Sequence, residues 1–332
     1  MRTGVAILSL VSVLIPAAST QFTLADVYVG NDFFNGWSWQ TINDPTNGRV
    51  NYVSQGVARG MNLSYATDTK FFMRADDYNI VPPNTRGRNS VRILSNKAYG
   101  DSLAVLDLQH MPEGCSTWPA FWSLSQKGPW PAGGEIDIIE GVNMDTQNLM
   151  SLHTSPGCTM PQQRLETGTV TSTNCDANVN YNQGCGVQDA AGSFGVPFNA
   201  RGGGWYAMAR TQQDGIRVWF WPRDSPDVPL AVRAPVPGLF PTIMPDPTWG
   251  APVAAFPIGP YCDYAAHFDA HQFVFDLTFC GDLAGNVYTS TGCSGSCVDF
   301  VNNNPQAFTN AYWEVNSLRI YTATETPYPP IV

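Results

Sequence analysis

The sequence predicts an all-β, antiparallel sandwich, and three observations carry that prediction. Short runs of alternating apolar and polar residues recur along the chain. Long helix-period segments are absent, and 30 glycines and 26 prolines supply turn chemistry between the runs. In chain order, the expected strands begin with 90–94 and 103–110, followed by 135–141 and 148–154. Residues 205–210 and 216–221 form a hairpin around Gln213-Asp214-Gly215, where Asp-Gly suits a turn that needs positive φ. His271–Phe279 puts Phe273, Phe275, Leu277 and Phe279 on one face and Val274, Asp276 and Thr278 on the other. Residues 312–321 complete the set. The segments 155–200 and 222–265 are loop-like, and cysteines 158, 175, 185 and 262 are placed to tie them down.

The chain begins MRTGVAILSLVSVLIPAAST, in which one basic residue precedes an apolar run over 5–15 and then small residues. This is the three-part pattern of a secretory signal peptide, expected over 1–20, and the run is too short for a ~30 Å hydrocarbon core. No later stretch is long or apolar enough to span a membrane, and the end, TATETPYPPIV, lacks the tail of a lipid-anchor signal. A released, extracellular protein is expected. The remainder, 21–332, has no repeat, linker or composition break and reads as one domain. Asn62-Leu63-Ser64 is the one N-glycosylation sequon, placing a candidate glycan on Asn62.

Eight cysteines (115, 158, 175, 185, 262, 280, 293, 297) favour four disulfides in a secreted chain, with 105 connectivities open. Cys293 and Cys297 are the only close pair, and no second pair or histidine doublet completes a zinc site. With 27 acidic against 17 basic residues and three lysines, no basic patch is available to neutralise phosphates, which argues against nucleic acid as a partner. No redox or organic cofactor is suggested, a structural Ca²⁺ stays open, and a monomer is expected.

The segment GGEIDIIEGVN (133–143) carries three carboxylates. Strict alternation puts Glu135, Asp137 and Ile139 on one face and Ile136, Ile138 and Glu140 on the other, burying a glutamate among isoleucines. One extra residue at Ile138–Ile139, a β-bulge, removes the conflict and turns Glu140 onto the face of Glu135 and Asp137. Three acids in a row suit glycosidic bond cleavage, with one carboxylate on the anomeric carbon and one acid on the leaving oxygen. The third, Asp137, would hold the nucleophile and raise the acid's pKa. A solvated edge or a calcium site is the alternative. Upstream lie Trp118, Trp122 and Trp130. Trp122 and Trp130, on either side of a Gly/Pro/Ser loop, are candidates for a polysaccharide cleft, whereas Trp118, beside Pro119, reads as core.

These residues, with GRNSVRI (87–93), MPEGCSTWPAFW (111–122), LHTSPGC (152–158), GGGWYAM (202–208), LTFCGD (277–282) and CVDFVNNNPQAF (297–308), resemble glycoside hydrolase family 16. The likeness is to secreted fungal laminarinase-type endo-β-1,3(4)-glucanases and runs along nearly the whole chain. It implies a β-jelly-roll sandwich with a substrate groove across its concave sheet and retention of anomeric configuration. It implies Glu135 as nucleophile, Glu140 as general acid/base and Asp137 as the assisting carboxylate. His153, which alone would read as a core histidine, is implied beside Glu140. Trp122 and Trp130 are implied to stack glucosyl units and Arg92 to donate to sugar hydroxyls. Relatives tend to read CGDWAG where this chain has CGDLAG, so Leu283 replaces an aromatic and one edge platform is expected to be weaker. The expected substrate is β-1,3-glucan, including mixed β-1,3/1,4 or branched β-1,3/1,6 forms. Transglycosylation, or glucan binding without catalysis, are the competing readings.

Overall fold

The computed structural model describes residues 20–323, so the expected leader, all but its last residue, and the tail from 324 lie outside it. Alternation builds two antiparallel sheets. One runs Thr242–Ile243, Phe22–Tyr28, Tyr312–Ala323, Ser102–His110, Gly204–Thr211, Gly215–Pro222, Ala254–Phe256. Phe71–Arg74 also pairs with Tyr312–Ala323, and Ser64–Ala66 lies beyond it. The second runs Thr169–Val170, Cys185–Gln188, Leu149–His153, Glu135–Glu140, Thr117–Ser125, His271–Phe279, Arg92–Ser95, Trp37–Trp39. A short parallel pair, Val50–Tyr52 with Arg88–Ser90, sits apart from both.

The core forms where the inner faces meet. Phe121, Ile136, Phe273 and Phe275 of the second sheet join Leu106, Leu108, Met208 and Ile320 of the first, none more than 2% exposed. Phe121 and Phe275 stack across their strands with centroids 4.3 Å apart. Each such buried side chain contributes about 1.5–3 kcal/mol of transfer free energy. The hairpin closes as its turn chemistry predicts, with Thr211 opposite Gly215 and Gly215 at φ +76°.

Thr117–Ser125 is a strand that the alternation did not reveal. Pro119 argues against a central position, since proline removes a ladder donor. Residues 120–124 nevertheless pair with Glu135–Glu140 on one side, and the whole strand, Pro119 included, lies in register with His271–Phe279 on the other. The long loops are tied as expected, by Cys158–Cys262 and Cys175–Cys185, while Cys115–Cys293 and Cys280–Cys297 fasten the segment after His271–Phe279. Cys158–Cys262 spans 104 residues, and a link of that length removes about 4–5 kcal/mol of unfolded-chain freedom in the loop-entropy model.

Candidate active site

Two glycines launch the carboxylate strand. Gly133 and Gly134 take φ of +77° and +84°, and a Cβ at Gly134 would lie 2.5 Å from the Phe268 ring. Beyond them Glu135 pairs with Leu124, Ile136 with Ser123 and Asp137 with Trp122. The register then slips: Ile139 pairs with Phe121 and Glu140 with Ala120, leaving Ile138 as the extra residue. Ile138 and Ile139 are both buried, at 1% and 0% exposure. The expected bulge is therefore present, and Glu135, Asp137 and Glu140 open into one cleft of about 440 Å³ on the outer face of the second sheet.

Each acid has a fixed partner. Trp130 Nε1 donates to Glu135 Oε2 at 2.6 Å, and Trp118 Nε1 donates to Glu140 Oε1 at 2.9 Å. His153, opposite Glu135 on the neighbouring strand, brings Nε2 to 3.3 Å from Asp137 Oδ2. Its Nδ1 meets Asn182 Oδ1 at 2.7 Å. Trp118 therefore lies in the cleft and not in the core. The physical reason is strand alternation: 118 shares the face of 120, 122 and 124, and the strand itself was hidden by Pro119. Trp122 and Trp130 line the cleft as expected.

Arg92 also lines the cleft but is held within it. Its Nη1 donates to Asp276 Oδ2 at 2.7 Å, its Nε to Gln40 Oε1 at 2.7 Å, and its guanidinium lies 4.9 Å from the Trp122 ring centroid. Trp122 Nε1 reaches the same Asp276 oxygen at 3.2 Å. Arg92 and Asp276 thus fix the tryptophan from its edge and face. Asp276, Asp44, Tyr52 and Asn182 are cleft residues that the sequence did not single out. Asp276 had one usable signal, as the only acid on the polar face of HQFVFDLTF. Leu283 follows Asp282, which lines the cleft near Asp44, Pro45 and Thr46.

Burial raises the Glu140 carboxyl above its ordinary value; the charge of Glu135 adds to this, while His153 and the Trp118 hydrogen bond oppose it. Burial and then Glu135 push Asp137 well up, against the pull of His153. Burial disfavours charge on His153, but Asp137, Glu135 and Glu140 outweigh it and hold the imidazole up to about 10. Both His153 nitrogens face oxygen acceptors, the arrangement of an imidazolium. Glu135, Asp137 and His153 bring ligand-type atoms within 4.8 Å of one another. A metal ion bound there would have to displace the proton that these carboxylates hold on His153.

These shifts fix a pH dependence of stability. Burial lifts Asp276 to about 7, and lifts Asp189 to about 6. Unfolded aspartate titrates near ~3.9 and histidine near ~6.5, so the folded protein holds extra protons on these carboxyls, and on His153 up to about 10. Buried His110 and His271 are shifted down and act in the opposite sense, but only below about 6.5, where unfolded imidazoles protonate. Above that pH the folded state binds more protons than the unfolded chain. The melting temperature is expected to fall steadily from about pH 6.5 to 9 in calorimetry. A rise over that interval contradicts the assignment.

Residues 37–321 match the XgeA-like catalytic domain of glycoside hydrolase family 16. The chain belongs to this family. Among family 16 and related proteins, it is 43% identical over 305 residues to a probable glycosidase of Schizosaccharomyces pombe, covering 90% of this chain and 69% of that protein. It is 42% identical over 324 residues to a probable endo-1,3(4)-beta-glucanase of Aspergillus niger, covering 95% of this chain but 42% of that protein. Family 16 laminarinase 16A of Phanerochaete chrysosporium, solved with β-glucans in donor and acceptor sites, is 49% identical with a TM-score of 0.86. That alignment covers 91% of this chain and 100% of the other. An elongating family 16 beta-1,3-glucosyltransferase is 39% identical with a TM-score of 0.81, covering 91% of this chain and 100% of that one.

Proposed function

We propose that the protein is a retaining endo-glucanase that hydrolyses β-1,3-glucan, with mixed β-1,3/1,4 or branched β-1,3/1,6 chains within its range. The observation that carries this reading is the bulged strand, which presents Glu135, Asp137 and Glu140 together in a tryptophan-lined cleft. Likeness over 91% of this chain to a laminarinase solved with β-glucans supports the substrate class.

Glu135 attacks the anomeric carbon while Glu140 gives its proton to the departing glycosidic oxygen, leaving a glycosyl ester on Glu135. Glu140, now a carboxylate, takes a proton from water as the water attacks the same carbon and frees Glu135. Asp137 lies between the two on the same face, tied to His153, and its place is to hold the nucleophile. No cofactor is needed for either step. Trp122 and Trp130 offer ring faces to glucosyl units, and Arg92 acts by fixing Trp122. Trp122→Ala is expected to raise KM for laminarin about tenfold, or ~1.4 kcal/mol, with a smaller change in kcat. An unchanged KM would remove Trp122 from the binding surface.

Secretion after removal of 1–20, a glycan on Asn62, a single catalytic unit over 21–332 and a monomeric state belong to the same reading. Among the described residues no helix is long and apolar enough to cross a membrane. A second reading, transglycosylation in which a sugar hydroxyl replaces water, is favoured by the 39%-identical glucosyltransferase. The retained acids weigh against a binding-only protein. Incubation with purified β-1,3-, β-1,4- and mixed-linkage glucans, with product sizing and proton NMR of the first anomer released, tests the proposal. Shorter β-anomeric products from β-1,3-linked chains are expected. Products longer than the substrate favour transfer, and α-anomers or no turnover contradict the proposal.

A further inference from the structure

A bulge creates a problem that the carboxylates do not solve. Backbone groups beside the extra residue lose their ladder partners, and buried ones must find others. The carboxylate strand pairs with Leu149–His153 from Glu135 as far as Asp137, which lies opposite Ser151. Past that point the backbone of Ile138 and Glu140 on this side has no strand partner among the described residues.

Asn148, immediately before Leu149–His153, fills that role with its side chain. Its Nδ2 donates to Ile138 O at 2.8 Å, and its Oδ1 accepts from Glu140 N at 2.9 Å. A primary amide offers one donor face and one acceptor face, so it stands in for the missing peptide. Asn148 is 0% exposed, and its own backbone is fixed. Its N–H donates to Ser193 Oγ at 2.9 Å, and its C=O accepts from Asp189 N at 2.9 Å.

We infer that Asn148 is a positioning residue for Glu140, whose side-chain amide locks the register break that turns this carboxyl into the cleft. The inference rests on the glucanase reading and deepens it. Without the amide, regular alternation competes for the strand, and regular alternation points Glu140 toward the isoleucines. Serine or alanine cannot span both backbone groups. Aspartate keeps an acceptor for Glu140 N but sets an oxygen against Ile138 O. Glu135 lies before the break and is paired in register with His153, so its placement does not depend on Asn148.

Two substrates separate a lost acid from general damage. Laminarin has a poor leaving group that needs protonation, whereas a 2,4-dinitrophenyl β-laminaribioside does not. For Asn148→Ala, kcat on laminarin is expected to fall about 10²-fold with KM little changed, the scale of a displaced general acid. The burst of dinitrophenolate is expected to change by less than about fivefold, since Glu135 still attacks. Asn148→Ser, which keeps a polar group for one of the two backbone partners if alanine fails to fold, is expected to show the same split. Equal losses on both substrates, or no loss on either, overturn the inference. Inactive wild-type protein on both substrates would instead overturn the glucanase reading. In that event a crystal structure of Asn148→Ala decides the geometry. Glu140 moved off Trp118 supports the inference, and an unmoved Glu140 overturns it.

Discussion

Glu135→Ser is expected to lower release of reducing ends from laminarin by about 10⁴-fold or more, with glucan binding retained. The size of the effect follows from the absence of a substitute. Asp137 is next on the same face, but it is 4% exposed and tied to His153. Glu140 is on the far side of the bulge and hydrogen-bonded to Trp118. Serine leaves Trp130 Nε1 facing the half-exposed mouth of the cleft, where water replaces the lost carboxylate, so the fold should be unaffected. Reducing-sugar assays and calorimetric titration with laminari-oligosaccharides measure the two halves. Turnover above about one hundredth of wild type would remove Glu135 from the nucleophile role.

Glu140→Ala is expected to cost about 10²–10⁴ in kcat on laminarin while sparing the first step on an activated aryl glycoside. Azide, small enough to enter the space left by the side chain, should restore breakdown of the glycosyl ester and give a β-configured glycosyl azide. The variant should also lose the alkaline limb of the pH–rate profile. In the intact protein that limb is expected to reflect Glu140, which burial and Glu135 hold above the ordinary glutamate range against His153 and Trp118. An unchanged alkaline limb, or an α-configured azide, would assign the acid to another group.

Much of this site was legible because it rests on a local conflict. Two isoleucines where alternation allows one can both be buried only if the strand bulges, and Glu140 then has one place to go. The alternating phenylalanines of His271–Phe279 were legible for the same reason, since period and burial agree. What was hidden depends on distance in the chain. Nothing local couples Arg92 to Asp276, 184 residues away, or pairs Cys115 with Cys293 across 178. Trp118 was misplaced because Pro119 masked the strand that carries it, and with the strand went the alternation that groups it with Trp122. Asn148 lies eight residues past Glu140. Its part became visible only when the unpaired backbone of the bulge was in place.

The central claim is that the register break builds a site in which Glu135 forms a covalent bond to the sugar. Incubation with 2-deoxy-2-fluoro-β-laminaribiosyl fluoride, followed by peptide mass mapping, tests it most directly. Fluorine at C2 slows both steps through the oxocarbenium-like transition state, and the good leaving group lets only the first proceed. The account predicts one glycosyl adduct per chain, on the peptide containing Glu135 and lost in Glu135→Ser. An adduct on Asp137 or Glu140, or fluoride release with no adduct, would contradict it.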